Sequence, residues 1–137
     1  EEALGNGIAI SEFPTTMEAA RHASENGMLV LMGAPNVVRG GSHSGNISAL
    51  EIAQAGYLGS LSSDYVPVSL LEAAFALSEG GYMSLPAAVG LVTANPAEAV
   101  GLAERGSREV GADLVRVSMV EGQPVVRNVW REGAEVF

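Results

Sequence analysis

Two features of the chain carry side chains able to do chemistry. The first is Asp64, one of two aspartates in the sequence, which directly follows the strand read at Leu58 to Ser63 and precedes Tyr65-Val66-Pro67. A carboxylate just past the end of a buried strand stands where barrel enzymes place reacting groups. The same position also suits an aspartate that shapes a turn or caps a helix. The second feature is the stretch from Arg39 through Gly40, Gly41, Ser42, His43 and Ser44 to Asn46. Glycines let backbone N–H groups face an anion, serine hydroxyls add donors, and arginine clamps phosphate through two N–H groups. Together they are candidates for holding a phosphate or a ribose, although flexible surface loops share this composition. His43 has the chemistry of a metal ligand, of a proton donor to a leaving group, or of a phosphate partner, and the sequence leaves all three open. The other histidine, His22, follows Arg21 on a helical segment and reads as solvated.

The elements that must position these groups are legible as alternation. Ile8 to Phe13 reads as a short buried strand stopped by Pro14, and Thr15 with Glu18 as a capping box for a helix ending at Gly27. Met28 to Met32 is continuously apolar, as a strand buried on both faces is. Residues 33–46 match neither periodicity and read as a long loop, the kind that is usually functional. Ser48 with Glu51 opens a second helix, which ends near Gly56, and Leu58 to Ser63 is the third strand. Ser69 with Glu72 opens a third helix, Leu70 to Leu77, closed by Gly80-Gly81. A helix from Pro86 to Thr93, a break at Asn95-Pro96 and a short helix to Val100 follow. Beyond a polar linker at 105–111, Ala112 to Val120 and Pro124 to Trp130 read as antiparallel strands joined by Glu121-Gly122-Gln123. Trp130 and Arg131 read as structural, and Met28, Met32 and Met83 as core filler.

Strand–helix alternation with short connections is the signature of parallel strands with crossover helices, so the fold class is α/β, with about three βα units. Residues 1–104 would hold those units, and 105–137 the strands of a second, smaller domain. At 137 residues and 47% hydrophobic, the chain can bury one real core, and two catalytic domains are excluded. Its apolar runs are far shorter than the ~20 residues of a membrane span. All seven basic residues are arginine and the formal net charge is −9, which disfavours nucleic acid. The absence of cysteine excludes disulfides and thiolate sites. With no basic-then-apolar leader, the cytoplasm is the expected location. The chain opens Glu1-Glu2-Ala3 without methionine and reads as a piece of something longer.

The run Leu31-Met32-Gly33-Ala34-Pro35-Asn36-Val37-Val38-Arg39-Gly40-Gly41-Ser42-His43-Ser44-Gly45-Asn46, followed by Leu61-Ser62-Ser63-Asp64-Tyr65-Val66-Pro67-Val68-Ser69-Leu70-Leu71, closely resembles the phosphonate-metabolism PhnM proteins. These are metal-dependent diphosphatases of the carbon-phosphorus lyase pathway, within the amidohydrolase superfamily. The resemblance continues through Leu91-Val92-Thr93-Ala94-Asn95-Pro96-Ala97, Gly111-Ala112-Asp113-Leu114-Val115 and Val129-Trp130-Arg131-Glu132-Gly133. It implies the C-terminal part of an amidohydrolase-type TIM barrel, followed by C-terminal strands of an accessory β-sandwich. It also implies a divalent metal, zinc, manganese or nickel, at the barrel's C-terminal end. The implied substrate is ribose 1-methylphosphonate 5-triphosphate, from which water releases pyrophosphate, beside other proteins of the carbon-phosphorus lyase pathway. Asp64 would then touch the metal and take the proton of the attacking water. The family carries paired metal-binding histidines on its first barrel strand and further ligands on its middle strands. This chain lacks them, so the resemblance implies the last third of such a protein, possessing no turnover of its own.

Two rival readings remain. One is a non-catalytic α/β module that holds an anion through the Arg39 loop without metal, and the other is a piece of a different amidohydrolase. Either way, an incomplete sheet exposes unpaired N–H and C=O groups, and homo-oligomers are the expected consequence.

Overall fold

A computed structural model describes residues 5–41, 45–102, 105–106 and 109–137. The chain is α/β, with one parallel and one antiparallel sheet, each of three strands. The parallel sheet has the order β1 (Ile10–Glu12), β2 (Leu29–Gly33), β3 (Ser60–Ser62). The register aligns Ile10 with Leu29 and Leu31 with Ser60, so all three strands end on the same side. Helix α1 (Met17–Glu25) connects β1 to β2. Two short helices, α2 (Ala34–Arg39) and α3 (Ala49–Gln54), lie between β2 and β3, and α4 (Ser69–Glu79), α5 (Leu85–Gly90) and α6 (Ala94–Ala99) follow. The core is the layer between this sheet and its helices: Val30, Met32 and Leu61 from the strands meet Ala20, Val37, Ile52, Ala74 and Leu77. Alanines at many of the contact positions let the helices sit close. At Gly59 an added Cβ would lie 2.6 Å from Leu29 Cδ1 and 3.1 Å from the Val30 backbone N, so a side chain there would force Leu29 to shift.

Several local expectations are corrected. The stretch after β2 is not all loop. Pro35 lies in the first turn of α2, where its missing N–H is no loss, and Gly40 ends the helix in the left-handed region at φ 77°. Two capping boxes fail. Helix α1 is capped one residue later than expected, by Thr16, whose hydroxyl accepts from Ala19 N at 3.2 Å. Ser69 caps nothing, because its hydroxyl donates to Val66 O at 2.6 Å and Val68 precedes the helix. The box of Ser48 and Glu51 is present in full. Asn95-Pro96 does not break the chain either. Pro96 occupies the first turn of α6, whose N–H groups have no intrahelical acceptor anyway, and the preceding helix already stops at Gly90.

The antiparallel sheet is a meander, β4 (Leu114–Val120), β5 (Gln123–Arg131) and β6 (Ala134–Glu135). Both of its turns are two-residue loops with positive φ at each residue, 51° and 81° at Glu121-Gly122 and 51° and 80° at Glu132-Gly133. That is the mirror-image turn whose twist matches a hairpin. The expected turn is therefore one residue shorter, and β6 is a strand that the sequence reading lacks. No helix among the described residues is long and apolar enough to cross a membrane.

Candidate active site at the C-terminal ends of the parallel strands

The parallel strands deliver their following residues to one side, where a cleft of about 240 Å³ opens. β1 supplies Phe13 and Pro14, β2 supplies Met32 and Gly33, and β3 leads into Asp64 and Tyr65. Helix α2 adds Pro35, Asn36 and Arg39, and the segment before α3 adds Asn46 and Ile47. Ligands of open α/β sheets bind beyond the carboxyl ends of their strands, and this cleft is in that place.

Asp64 is exposed and sits in a turn with φ 49°. An aspartate tolerates the left-handed region better than most residues. Its Oδ2 lies 3.6 Å from where a Cβ on Gly33 would be, so the carboxylate reaches back over the end of β2. It caps no helix, since α4 begins at Ser69 after Val68. Arg39, in the last turn of α2, donates from Nη1 to the Tyr65 hydroxyl at 2.5 Å, and its guanidinium carbon lies 5.4 Å from the centre of that ring. Cation and carboxylate are thus brought to one cleft by adjacent residues, Asp64 and Tyr65.

The frame behind them is hydrogen-bonded. Asn36 Oδ1 accepts from Ala49 N at 2.9 Å, joining the start of α3 to α2, and Ile47 N donates to Thr15 O at 3.2 Å. Ser48 N and Oγ both donate to Glu51 Oε2, at 2.9 and 2.7 Å. Those two bonds hold the Glu51 carboxyl below its ordinary pKa.

Of the residues singled out from sequence, Asp64, Arg39, Gly41 and Asn46 line the cleft. Gly40 does not line it and serves as the helix end. Ser42, His43 and Ser44 lie outside the described residues. His22 is exposed on α1, where Asn26 Nδ2 donates to its backbone carbonyl at 2.7 Å. Sequence reasoning missed Phe13, Asn36 and Tyr65. Tyr65 was findable, because it adjoins Asp64 within the same motif; Asn36 was hidden by reading its helix as loop.

A divalent metal needs about three protein donors. Among the described residues no group of three or more His, Cys, Asp or Glu side chains converges, and Asp64 is the only carboxylate lining the cleft. These residues do not by themselves make a metal cage.

Comparison with characterised proteins finds 53% identity over 135 residues to the alpha-D-ribose 1-methylphosphonate 5-triphosphate diphosphatase of Escherichia coli (strain K12). The match covers 96% of this chain and 36% of that protein, so the chain spans about a third of the relative's length. The resemblance read from the Leu31–Asn46 and Leu61–Leu71 motifs is thereby borne out. No protein-family model matches the chain, and no solved structure does.

Proposed function

We propose that the chain is the part of a phosphonate-degrading diphosphatase that contributes Asp64 and the Arg39 loop to a phosphoanhydride-hydrolysing site. The observation that carries this reading is the convergence of Asp64 and Arg39 on one strand-end cleft, in a chain 53% identical to a diphosphatase. Arg39 holds a phosphate of the triphosphate by charge-assisted hydrogen bonds, with the Asn46 carboxamide beside it, while the Gly40 and Gly41 N–H groups close the end of α2 on Val37 O and Asn36 O. Asp64 accepts the proton of the attacking water. A zinc, manganese or nickel ion would supply a Lewis acid there; Asp64 is the donor offered among the described residues, and further ligands would come from the remaining two thirds of the enzyme. In that whole enzyme the parallel strands take their places in an amidohydrolase-type barrel, and the antiparallel meander in its accessory sandwich. The substrate is a ribose phosphonate 5-triphosphate and the setting is the cytoplasm.

The test is a chimera in which this chain replaces the matching third of the Escherichia coli diphosphatase. It should release pyrophosphate from ribose 1-methylphosphonate 5-triphosphate. A folded chimera without turnover would refute the reading. The 137-residue chain alone, supplied with zinc, manganese or nickel in turn, should show no turnover; metal-dependent release by the chain alone would overturn its assignment as an incomplete site.

A further inference from the structure

We propose that Phe13 is the sugar-packing residue of the cleft, an aromatic floor on which the furanose ring of the phosphorylated substrate lies beside Asp64. The proposal rests on the phosphate-hydrolase reading above and adds the part of the substrate that charged groups cannot read.

It starts from a backbone anomaly. Phe13 has φ 50°, in the left-handed region, where a bulky residue is a genuine outlier. The proline that follows it restricts the same residue toward extended backbone, so Phe13 departs from two local preferences at once. Its N–H still donates to Leu31 O at 2.9 Å, the last rung of the β1–β2 pairing, and the chain then turns at the buried Pro14. Strain of this kind persists where the surroundings enforce it and clusters at ligand sites.

The strain does not serve the core. Phe13 is 40% exposed and takes no part in the buried apolar cluster. Instead its ring lines the cleft, with Cε1 3.4 Å from where a Cβ on Gly33 would be, and Asp64 Oδ2 is 3.6 Å from that same point. Ring and carboxylate therefore flank one spot at the end of β2, while Arg39 and Tyr65 line the same cleft. A furanose offers an apolar C–H face to a ring and hydroxyls to polar groups beside it, and clefts recognise such ligands through aromatic walls with few polar groups.

The experiment uses the isotope-labelled 137-residue chain, titrated by NMR with inorganic tripolyphosphate and with D-ribose 5-triphosphate. The parent chain should bind the ribose compound several-fold more tightly than tripolyphosphate. In Phe13→Gly and Phe13→Leu that preference should fall to about one, with tripolyphosphate affinity unchanged. Glycine relieves the strain at φ 50° but loses the contacts of a ring that is only 40% exposed and costs chain entropy on folding, so the melting midpoint serves to show that the variants are folded. A ribose preference intact in folded Phe13→Gly would make the ring dispensable for the sugar and overturn the proposal. A preference kept in Phe13→Leu would overturn it as well, since apolar bulk without a flat ring would then suffice. Tripolyphosphate binding without any ribose preference in the parent would reject the role of Phe13 and leave the phosphate reading standing. Failure of the parent to bind either compound would reject the role of Phe13 in this chain, whereas the phosphate-hydrolase reading stands or falls on pyrophosphate release by the chimera.

Discussion

Arg39 and Asp64 are set by different devices, and that separates what their substitution should do. The Arg39 side chain leaves the end of a six-residue helix and meets the hydroxyl and ring of Tyr65, two contacts that limit the directions its guanidinium can take. Arg39→Ala should weaken triphosphate-bearing substrate about tenfold or more, and a version without the triphosphate far less, because the lost contact is charge-assisted. Tyr65→Phe keeps the ring and deletes the hydroxyl, so it should produce a smaller loss in the same direction. Calorimetry on both ligands checks this, and equal weakening of the two by Arg39→Ala would mean that the arginine acts on structure. Asp64 is held by its backbone: a left-handed residue after β3 aims the carboxylate across Gly33. Asparagine also tolerates that conformation, so Asp64→Asn should preserve the fold. In the chimera it should cut pyrophosphate release by roughly 10² to 10⁴, the usual size of a general-base contribution, because an amide cannot take the water's proton. Turnover near that of the unsubstituted chimera would remove Asp64 from the chemistry.

At the scale of elements, the cleft wall depends on short helices that are stabilised by their buried faces, Val37 on α2 and Ile52 on α3, and by the caps at their ends. Helix α3 has six residues, too few to be stable alone, and its start is fixed by Ser48, Glu51 and the Asn36 carboxamide. The Glu51 pKa is lowered in the folded chain, chiefly by the Ser48 side chain and then by its backbone N–H, against a smaller opposing effect of burial. A carboxyl with a depressed folded pKa contributes stability above its unfolded pKa and loses it as pH falls through the folded value. Glu51→Gln keeps a side-chain oxygen to accept from Ser48 but cannot titrate. Between neutral pH and pH below the carboxylate range, the parent should therefore lose more stability than Glu51→Gln, measured by urea midpoints. An identical acid dependence in the two proteins would show that the cap does not titrate with folding. This box is also the clearest case of what was legible. The Ser-x-x-Glu spacing encodes both hydrogen bonds locally, and Asp64 was legible because it directly follows a strand and stands inside the Leu61–Leu71 motif. The same spacing misled at Ser69, whose hydroxyl found a carbonyl three residues back. Helix α2 was illegible for a related reason: a helix of six residues is too short to display a period, and its glycine-rich continuation looked like loop. Phe13 could not be found from its residue type, because nothing in a phenylalanine announces a left-handed backbone.

For the whole molecule the question is what its sheets do at their edges. The expectation of an open parallel sheet is only half met. The outer side of β3 is covered by the chain itself, with Leu61 N donating to Leu91 O at 3.1 Å, Ser60 Oγ to the same carbonyl at 3.0 Å, and Asn95 Nδ2 to Gly59 O at 2.9 Å. The outer sides of β1 and β4 have no partner strand among the described residues. Of the two, β4 is the longer at seven residues, and it displays Leu114, Val115, Met119 and Val120, which are 59, 52, 44 and 39% exposed. A long edge with apolar side chains is a template for pairing with another chain. A net charge of −9 works against that encounter, and salt screens the repulsion. We therefore expect the isolated chain to form dimers or larger species through β4, more completely as ionic strength rises. Val115→Lys places a charge on that edge at a position half open to solvent, so it should leave the monomer's fold intact. Two such lysines brought near each other across a paired edge would repel. Sedimentation should show association for the parent and a monomer for Val115→Lys, each with the same far-ultraviolet dichroism. A parent that stays monomeric at high micromolar concentration and high salt would mean that the twist and irregularity of β4 protect it, and Val115→Lys would then change nothing.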